Sequence, residues 1–134
     1  MKIPPNAACP CDSGLSYKNC CQVLHKGAKA TSPEKLMRSR YSAYALGLTD
    51  YIMKTTHPDG TRYNPNQADW KRDIELFSQN TRFERLQILA AQGDMVTFRA
   101  TLFEKQRDVS FTEISVFRQY NGQWKYYSGT RLEH

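Results

Sequence analysis

The residues best suited to chemistry in this sequence are its four cysteines, and all of them fall between positions 9 and 21: Cys9-Pro10-Cys11-Asp12-Ser13-Gly14-Leu15-Ser16-Tyr17-Lys18-Asn19-Cys20-Cys21. Cysteines placed only for packing would be scattered. Four thiols at close range are what a tetrahedral thiolate site needs, in which zinc takes four sulfurs at about 2.3 Å. Iron is the alternative metal, since four thiolates accept either. One residue separates Cys9 from Cys11, and Cys20 and Cys21 are adjacent, whereas zinc ribbons usually leave roughly two to four residues between paired cysteines. Asp12-Ser13-Gly14 between the pairs is a turn sequence in which Gly14 can take positive φ at little cost. Lys18, Lys26 and Lys29 are close in sequence and could offset the negative charge that four thiolates leave on a divalent ion. His25 is a spare ligand candidate, although four cysteines already fill a tetrahedron. Two disulfides between the pairs, or redox-active thiols, are the alternative chemistries. Met1-Lys2-Ile3-Pro4-Pro5 lacks the apolar stretch of a secretory leader. A cytoplasmic setting is therefore expected, and there the same thiols read as metal ligands.

The remaining elements must carry and position this cluster. A chain of 134 residues suits one domain with a small appendage. Residues 1–30 could not build a core alone, so metal binding would also supply their folding energy. Lys26 to Thr31 reads as a linker. Ser32 as N-cap and Pro33 at the first helical position start a helix in which Met37, Tyr41 and Tyr44, followed by Leu48, share one face, with Gly47 as its stop. A short helix follows from Thr49 to Lys54 and ends before Pro58. Trp70, Ile74 and Phe77 predict a third helix over 67–79. From Arg82 the period changes to two: Leu86-Ile88-Ala90, Val96-Phe98-Ala100-Leu102, a run over 109–120, and Trp124-Tyr126-Ser128. Gly93-Asp94, residues 105–108 and Asn121-Gly122 punctuate these runs, and Asn-Gly is the strongest short hairpin signal. Three helices followed by four sequential antiparallel strands predict an α+β fold.

The net charge is +6. Four lysines against one aspartate put half of that excess on residues 1–30, which makes this segment a candidate face for RNA or an acidic protein. Thiolate neutralisation and ordinary solubility are the plainer explanation. No apolar run is long enough to span a membrane, so no membrane insertion is expected. No internal repeat, low-complexity tract, phosphate-binding glycine loop, Ser/His/Asp motif or metal-carboxylate cluster is present. Leu132-Glu133-His134 reads as the start of a linker and affinity tag.

The motif Cys9-Pro10-Cys11-x-Ser13-Gly14-x-x-Tyr17-x-x-Cys20-Cys21 resembles the SEC-C motif, the small metal-binding module named for the C-terminus of the SecA translocation ATPase. Leu36-Met37-Arg38-Ser39-Arg40-Tyr41-Ser42-Ala43-Tyr44, Lys54-Thr55-Thr56-His57-Pro58, Asn121-Gly122-Gln123-Trp124-Lys125-Tyr126-Tyr127 and Gly129-Thr130-Arg131 resemble the bacterial YchJ family. The resemblance implies a SEC-C module over 1–30 and an NTF2-like (cystatin-like) cone over 31–131, three helices packed on a curved antiparallel sheet. Some members carry a second SEC-C motif at the C-terminus, and this sequence does not. In SecA the comparable module contacts a chaperone and the ribosome, which makes a ribosomal, RNA, secretion or chaperone partner plausible. The family reads Glu-x-Ser-x-Phe where this chain has Glu113, Ser115 and Phe117, so that face of the 109–120 strand is expected to point into the cone. Tyr41 and Trp124 are expected beside it.

A carboxylate in an apolar cone is expected to need a partner. Arg38, Arg40 and His57 are the candidates. Glu113 with His57 could act as a general acid/base pair, as in NTF2-like isomerases and dehydratases. The plainer alternative is a structural ion pair from Glu113 to Arg38 or Arg40, with His57 as a helix-terminal polar anchor. Two classes of function follow. One is a zinc-binding, non-catalytic adaptor that presents Lys18, Lys26 and Lys29 to a macromolecule. The other is a small-molecule binder or enzyme that uses the cone around Glu113. Metal handling, with zinc or iron, is a third.

Overall fold

A computed structural model of the protein describes residues 3–132. Met1, Lys2, Glu133 and His134, and with them most of the expected tag remnant, lie outside the described residues. Leu132 closes the last strand opposite Thr112.

Local signals set the helix ends. Ser32 is extended and its hydroxyl accepts from the Lys35 amide at 3.2 Å, Pro33 takes the first helical position, and Gly47 at φ 72° ends the helix Pro33–Leu46. We label this helix α2, since a one-turn helix, α1 (Cys21–His25), precedes it. α3 covers Thr49–Lys54. α4 covers Gln67–Asn80 and is capped by Asn66, whose side chain accepts from the Asp69 amide. Leu48 falls outside α2, because Gly47 turns the chain before it.

The sheet consists of β1 (Arg82–Gln92), β2 (Met95–Glu104), β3 (Arg107–Asp108), β4 (Phe111–Tyr120) and β5 (Gln123–Leu132). All pairings are antiparallel, in the order β1-β2-β4-β5, and β3 is a two-residue strand paired with β2. The sequence pattern places only a break at 105–108. The structure turns the chain there at Lys105, φ 57°, so Arg107–Asp108 folds back on β2 and the next strand begins at Phe111. Asn121 and Gly122 both take positive φ, the geometry that closes a two-residue hairpin.

Val96, Phe98, Ala100 and Leu102 are all buried on the concave face, against Leu36, Met37 and Tyr41 of α2. Irregularities between Phe83 and Arg85, Ile88 and Ala90, and Val116 and Phe117 bend the sheet around the helices. Cys9, Cys11, Tyr17 and Cys21 belong to this same contiguous core. A segment too small to bury a core of its own thus shares that of α2. Among the described residues, no helix is long and apolar enough to cross a membrane.

Candidate metal centre and cone cavity

A short hairpin gathers the four sulfurs. The Cys9 amide donates to the Leu15 carbonyl at 2.9 Å, Ala8 bridges Ser16, and Asp12 and Gly14 take positive φ. A 3-10 turn, Tyr17–Asn19, then returns Cys20 and Cys21 to the first pair. The four Sγ atoms lie within 4.8 Å of one another. Cys11 and Cys20 are 3.6 Å apart, and Cys20 and Cys21 4.0 Å. Tetrahedral zinc with bonds of about 2.3 Å needs sulfurs about 3.8 Å apart, so the donor set fits such an ion. All four cysteines are free thiols rather than disulfides.

Their electrostatics also fit a cation. Hydrogen bonds from Cys11 and Cys21 hold the Cys9 thiol well below its ordinary pKa. Cys11 is pushed up to about 11: the Cys21 contact pulls it down, but the neighbouring Cys9 and burial outweigh that pull. Cys21 is pushed far up by Cys11 and Cys9. One thiolate therefore suppresses the ionisation of its neighbours, and only a bound cation would let all four carry charge together.

The rest of the chain clamps this hairpin in ways the spacing does not reveal. Ser42, fully buried on α2, places its hydroxyl 3.5 Å from Cys9 Sγ and 3.3 Å from Cys21 Sγ. Ser13 Oγ stands 3.1 Å from Cys20 Sγ. The Asp12 carboxylate accepts from the Leu86 amide of β1 at 2.9 Å, which caps an edge strand. Arg38 donates to the Cys11 carbonyl at 2.8 Å and pairs with Glu34. His25 is not aimed at the sulfurs. Its Nε2–H donates to the Ser39 carbonyl at 2.8 Å, which leaves Nδ1 to accept from the Tyr17 hydroxyl at 2.6 Å. Burial, the first cause, lowers the His25 pKa. Ser39 and Ser42, three residues apart on α2, were the available hint that this helix has a second face meeting a polar partner. Lys18, Lys26 and Lys29 are all exposed.

The second site is a cavity of about 440 Å³ between the sheet and helices α2 and α4. Arg40, Tyr41 and Glu113 line it, together with Tyr44, Arg62, Trp70, Phe77, Phe83, Phe98, Phe111, Tyr126 and Arg131. Glu113 is 4% exposed. Its Oε2 accepts from Ser115 Oγ at 2.7 Å and from the Tyr126 hydroxyl at 3.2 Å, and its Oε1 lies 3.9 Å from Arg131 Nε. Burial and the Glu113 charge push Tyr126 up to about 12. A Cβ on Gly129 would collide with both the Glu113 carboxylate and the Tyr126 hydroxyl.

Two expected partners of Glu113 lie elsewhere. Arg38 turns to the knuckle, and His57 sits after α3 with its ring between Tyr120 and Tyr127 and its Nδ1 accepting from the Asp59 amide. The pair of Glu113 with His57 is therefore not assembled. Arg40 does line the cavity, but its Nη1 donates to Ile52, Thr55 and Thr56. Ser115 and Phe117 are fully buried on the same strand face as Glu113 and Trp124 is half-buried, but none of the three lines the cavity. Besides Ser115 of β4 itself, Glu113 meets Tyr126 and Arg131, which come from β5 across the register Glu113 opposite Arg131.

Comparison with known proteins covers both regions. Residues 32–129 match the family model described as the middle NTF2-like domain of YchJ, and residues 6–22 match the SEC-C motif. A UPF0225 protein of Deinococcus radiodurans is 40% identical over 125 residues, covering 92% of this chain and 88% of the relative. One from Bordetella parapertussis is 38% identical over 141 residues, covering 96% and 98%. The solution structure of a SEC-C motif containing protein from Rhodopseudomonas palustris superposes with a TM-score of 0.74 at 33% identity, covering 93% of this chain and 98% of that one. A crystal structure of a SEC-C motif containing protein from Psychrobacter arcticus gives 0.61 at 26% identity, covering 96% and 82%.

Proposed function

Since the chain belongs to the UPF0225 (YchJ) family, we propose that it is a zinc-binding, non-catalytic interaction protein whose cysteine knuckle contacts an acidic macromolecule. The division of the knuckle into two faces carries this reading. Cys9, Cys11 and Cys21 are buried and Cys20 is half-buried, while Lys18, Lys26 and Lys29 are exposed. A thiolate site closed in this way is structural: Cys9, Cys11, Cys20 and Cys21 would hold the ion, and the ion would supply folding energy and negative-charge compensation. The lysines then act as a fixed basic surface for ribosomal or other RNA, or for an acidic secretion or chaperone protein, in the reducing cytoplasm. Iron on the same thiolates, in a metal-handling role, is separated from zinc by elemental analysis of the purified chain.

The test is co-sedimentation of the full chain with ribosomes across a salt series. Binding that weakens as salt rises, and by about tenfold or more when Lys18, Lys26 and Lys29 are all changed to Glu, supports the reading. Equal sedimentation of wild type and triple variant sinks it. A second reading, a small-molecule binder built around the cone, is favoured by the cavity of about 440 Å³ and its buried Glu113.

A further inference from the structure

Arg40 is 4% exposed and lines the cone cavity. Its Nη1 donates to the Ile52 carbonyl at 3.1 Å, Thr55 Oγ1 at 2.7 Å and Thr56 Oγ1 at 3.2 Å. All three acceptors are neutral. Among the described residues no carboxylate forms an ion pair with it, the ion pairs running instead to other lysines and arginines. A buried guanidinium without a counter-charge is costly, and such groups are normally paired. Glu113, the buried acid in the same wall, is already engaged: Ser115 and Tyr126 occupy one oxygen, and Arg131 stands at the other. Arg62 and Arg131, both exposed, add two more positive charges to the lining, against Glu113 and the exposed Asp73.

We propose that the cavity binds a small organic monoanion, with a flat apolar body between the aromatic walls and a carboxylate paired with Arg40. This deepens the second reading above and rests on the cone alone, so its failure leaves the knuckle reading untouched. The volume lies in the range of small-molecule sites. Arg40 Cζ lies 4.8 Å from the centroid of the Tyr126 ring. A cation–π contact of this kind holds a guanidinium against the ring, and a guanidinium edge suits a bidentate carboxylate. Tyr126 also donates to Glu113, which holds a second negative charge near the head of the ligand. That charge disfavours a dianion such as a phosphate monoester and selects a single negative charge. Trp70, Phe77, Phe83 and Phe98 supply flat apolar walls for the body.

The test is calorimetric titration of the full chain with indole-3-acetate and with its uncharged isostere indole-3-acetamide. The acetate is expected to bind about tenfold or more tightly than the amide, and Arg40→Met should abolish that preference. The proposal is overturned if the acetate fails to bind, if it binds no better than the amide, or if the preference survives in Arg40→Met. Should Arg40→Met not fold, Ala100→Leu, which adds bulk to the cavity floor, must weaken both probes by about tenfold. Unchanged binding there would place the probes outside the cavity and overturn the proposal equally.

Discussion

The knuckle and the cone bury their polar groups in opposite ways. In the knuckle, four cysteine sulfurs face one another with Ser13 and Ser42 hydroxyls beside them, and the repulsion between their thiolates would be relieved by a cation. In the cone, Glu113 is satisfied by Ser115 and Tyr126, and the unmatched charge is the positive one on Arg40. On the two readings proposed above, one site would be completed by a cation and the other by an anion. They are joined by one helix: α2 carries Ser42 to the sulfurs and, on other sides of the same turn, Arg40 and Tyr41 to the cavity.

Removing metal from the knuckle with a strong chelator should give the largest effect. Because the cysteines share a core with Leu36 and Tyr41, the whole chain should melt in one transition shifted down by more than about 10 °C, the equivalent of roughly 3 kcal/mol. Calorimetry showing two transitions, the upper one unmoved, would separate the two regions that the shared core joins. Gly129→Ala comes next. It drives a methyl group onto the Glu113 carboxylate and should cost about 2–3 kcal/mol in urea denaturation while leaving metal content unchanged. A loss of metal in that variant would show that the two sites are coupled through α2.

Asp12→Ala removes the acceptor of the Leu86 amide and should cost about 1 kcal/mol. A change near zero would mean that the knuckle rests on α2 alone. The smallest effect is with pH. Burial depresses the pKa of His25 in the folded chain below its ordinary 6.5. The unfolded chain takes up the proton first as pH falls, so the stability His25 confers is present above pH 6.5 and is lost as pH drops below it. Between pH 7.5 and 5.5 the wild type should lose more melting temperature than His25→Gln. Equal losses would assign the acid sensitivity to the thiolates.

Much of this was legible along the chain. Four cysteines in one short run, the Ser32-Pro33 start and Gly47 stop of α2, and the Asn121-Gly122 turn each depend on residues a few positions apart, where backbone geometry alone decides the outcome. Strand alternation left the inward face of β4 open, and the resemblance alone selected the Glu113, Ser115 and Phe117 face. Helical period also held a distinction that pairing by charge overlooked. Residues two apart on a helix point about 200° from each other, so Arg38 and Arg40 could never both meet Glu113. Which of them faced the cone depended on where the knuckle docked. His57 could not be placed from sequence, because it follows α3 in a loop whose amide donates to the Tyr126 carbonyl of β5.

The sequence by itself determined the cysteine cluster, the helix caps and the hairpin turns, because each is a local solution to backbone and side-chain chemistry. The partner of Glu113 was decided by tertiary structure. Beyond the Asn121-Gly122 turn the register pairs Tyr120 with Gln123 and Phe117 with Tyr126, which continued unbroken would set Thr130 opposite Glu113. The irregularity between Val116 and Phe117 shifts the pairing by one residue and sets Arg131 there instead. A single extra residue, accommodated where the sheet bends around α2 and α4, thus chose the charge beside the buried carboxylate.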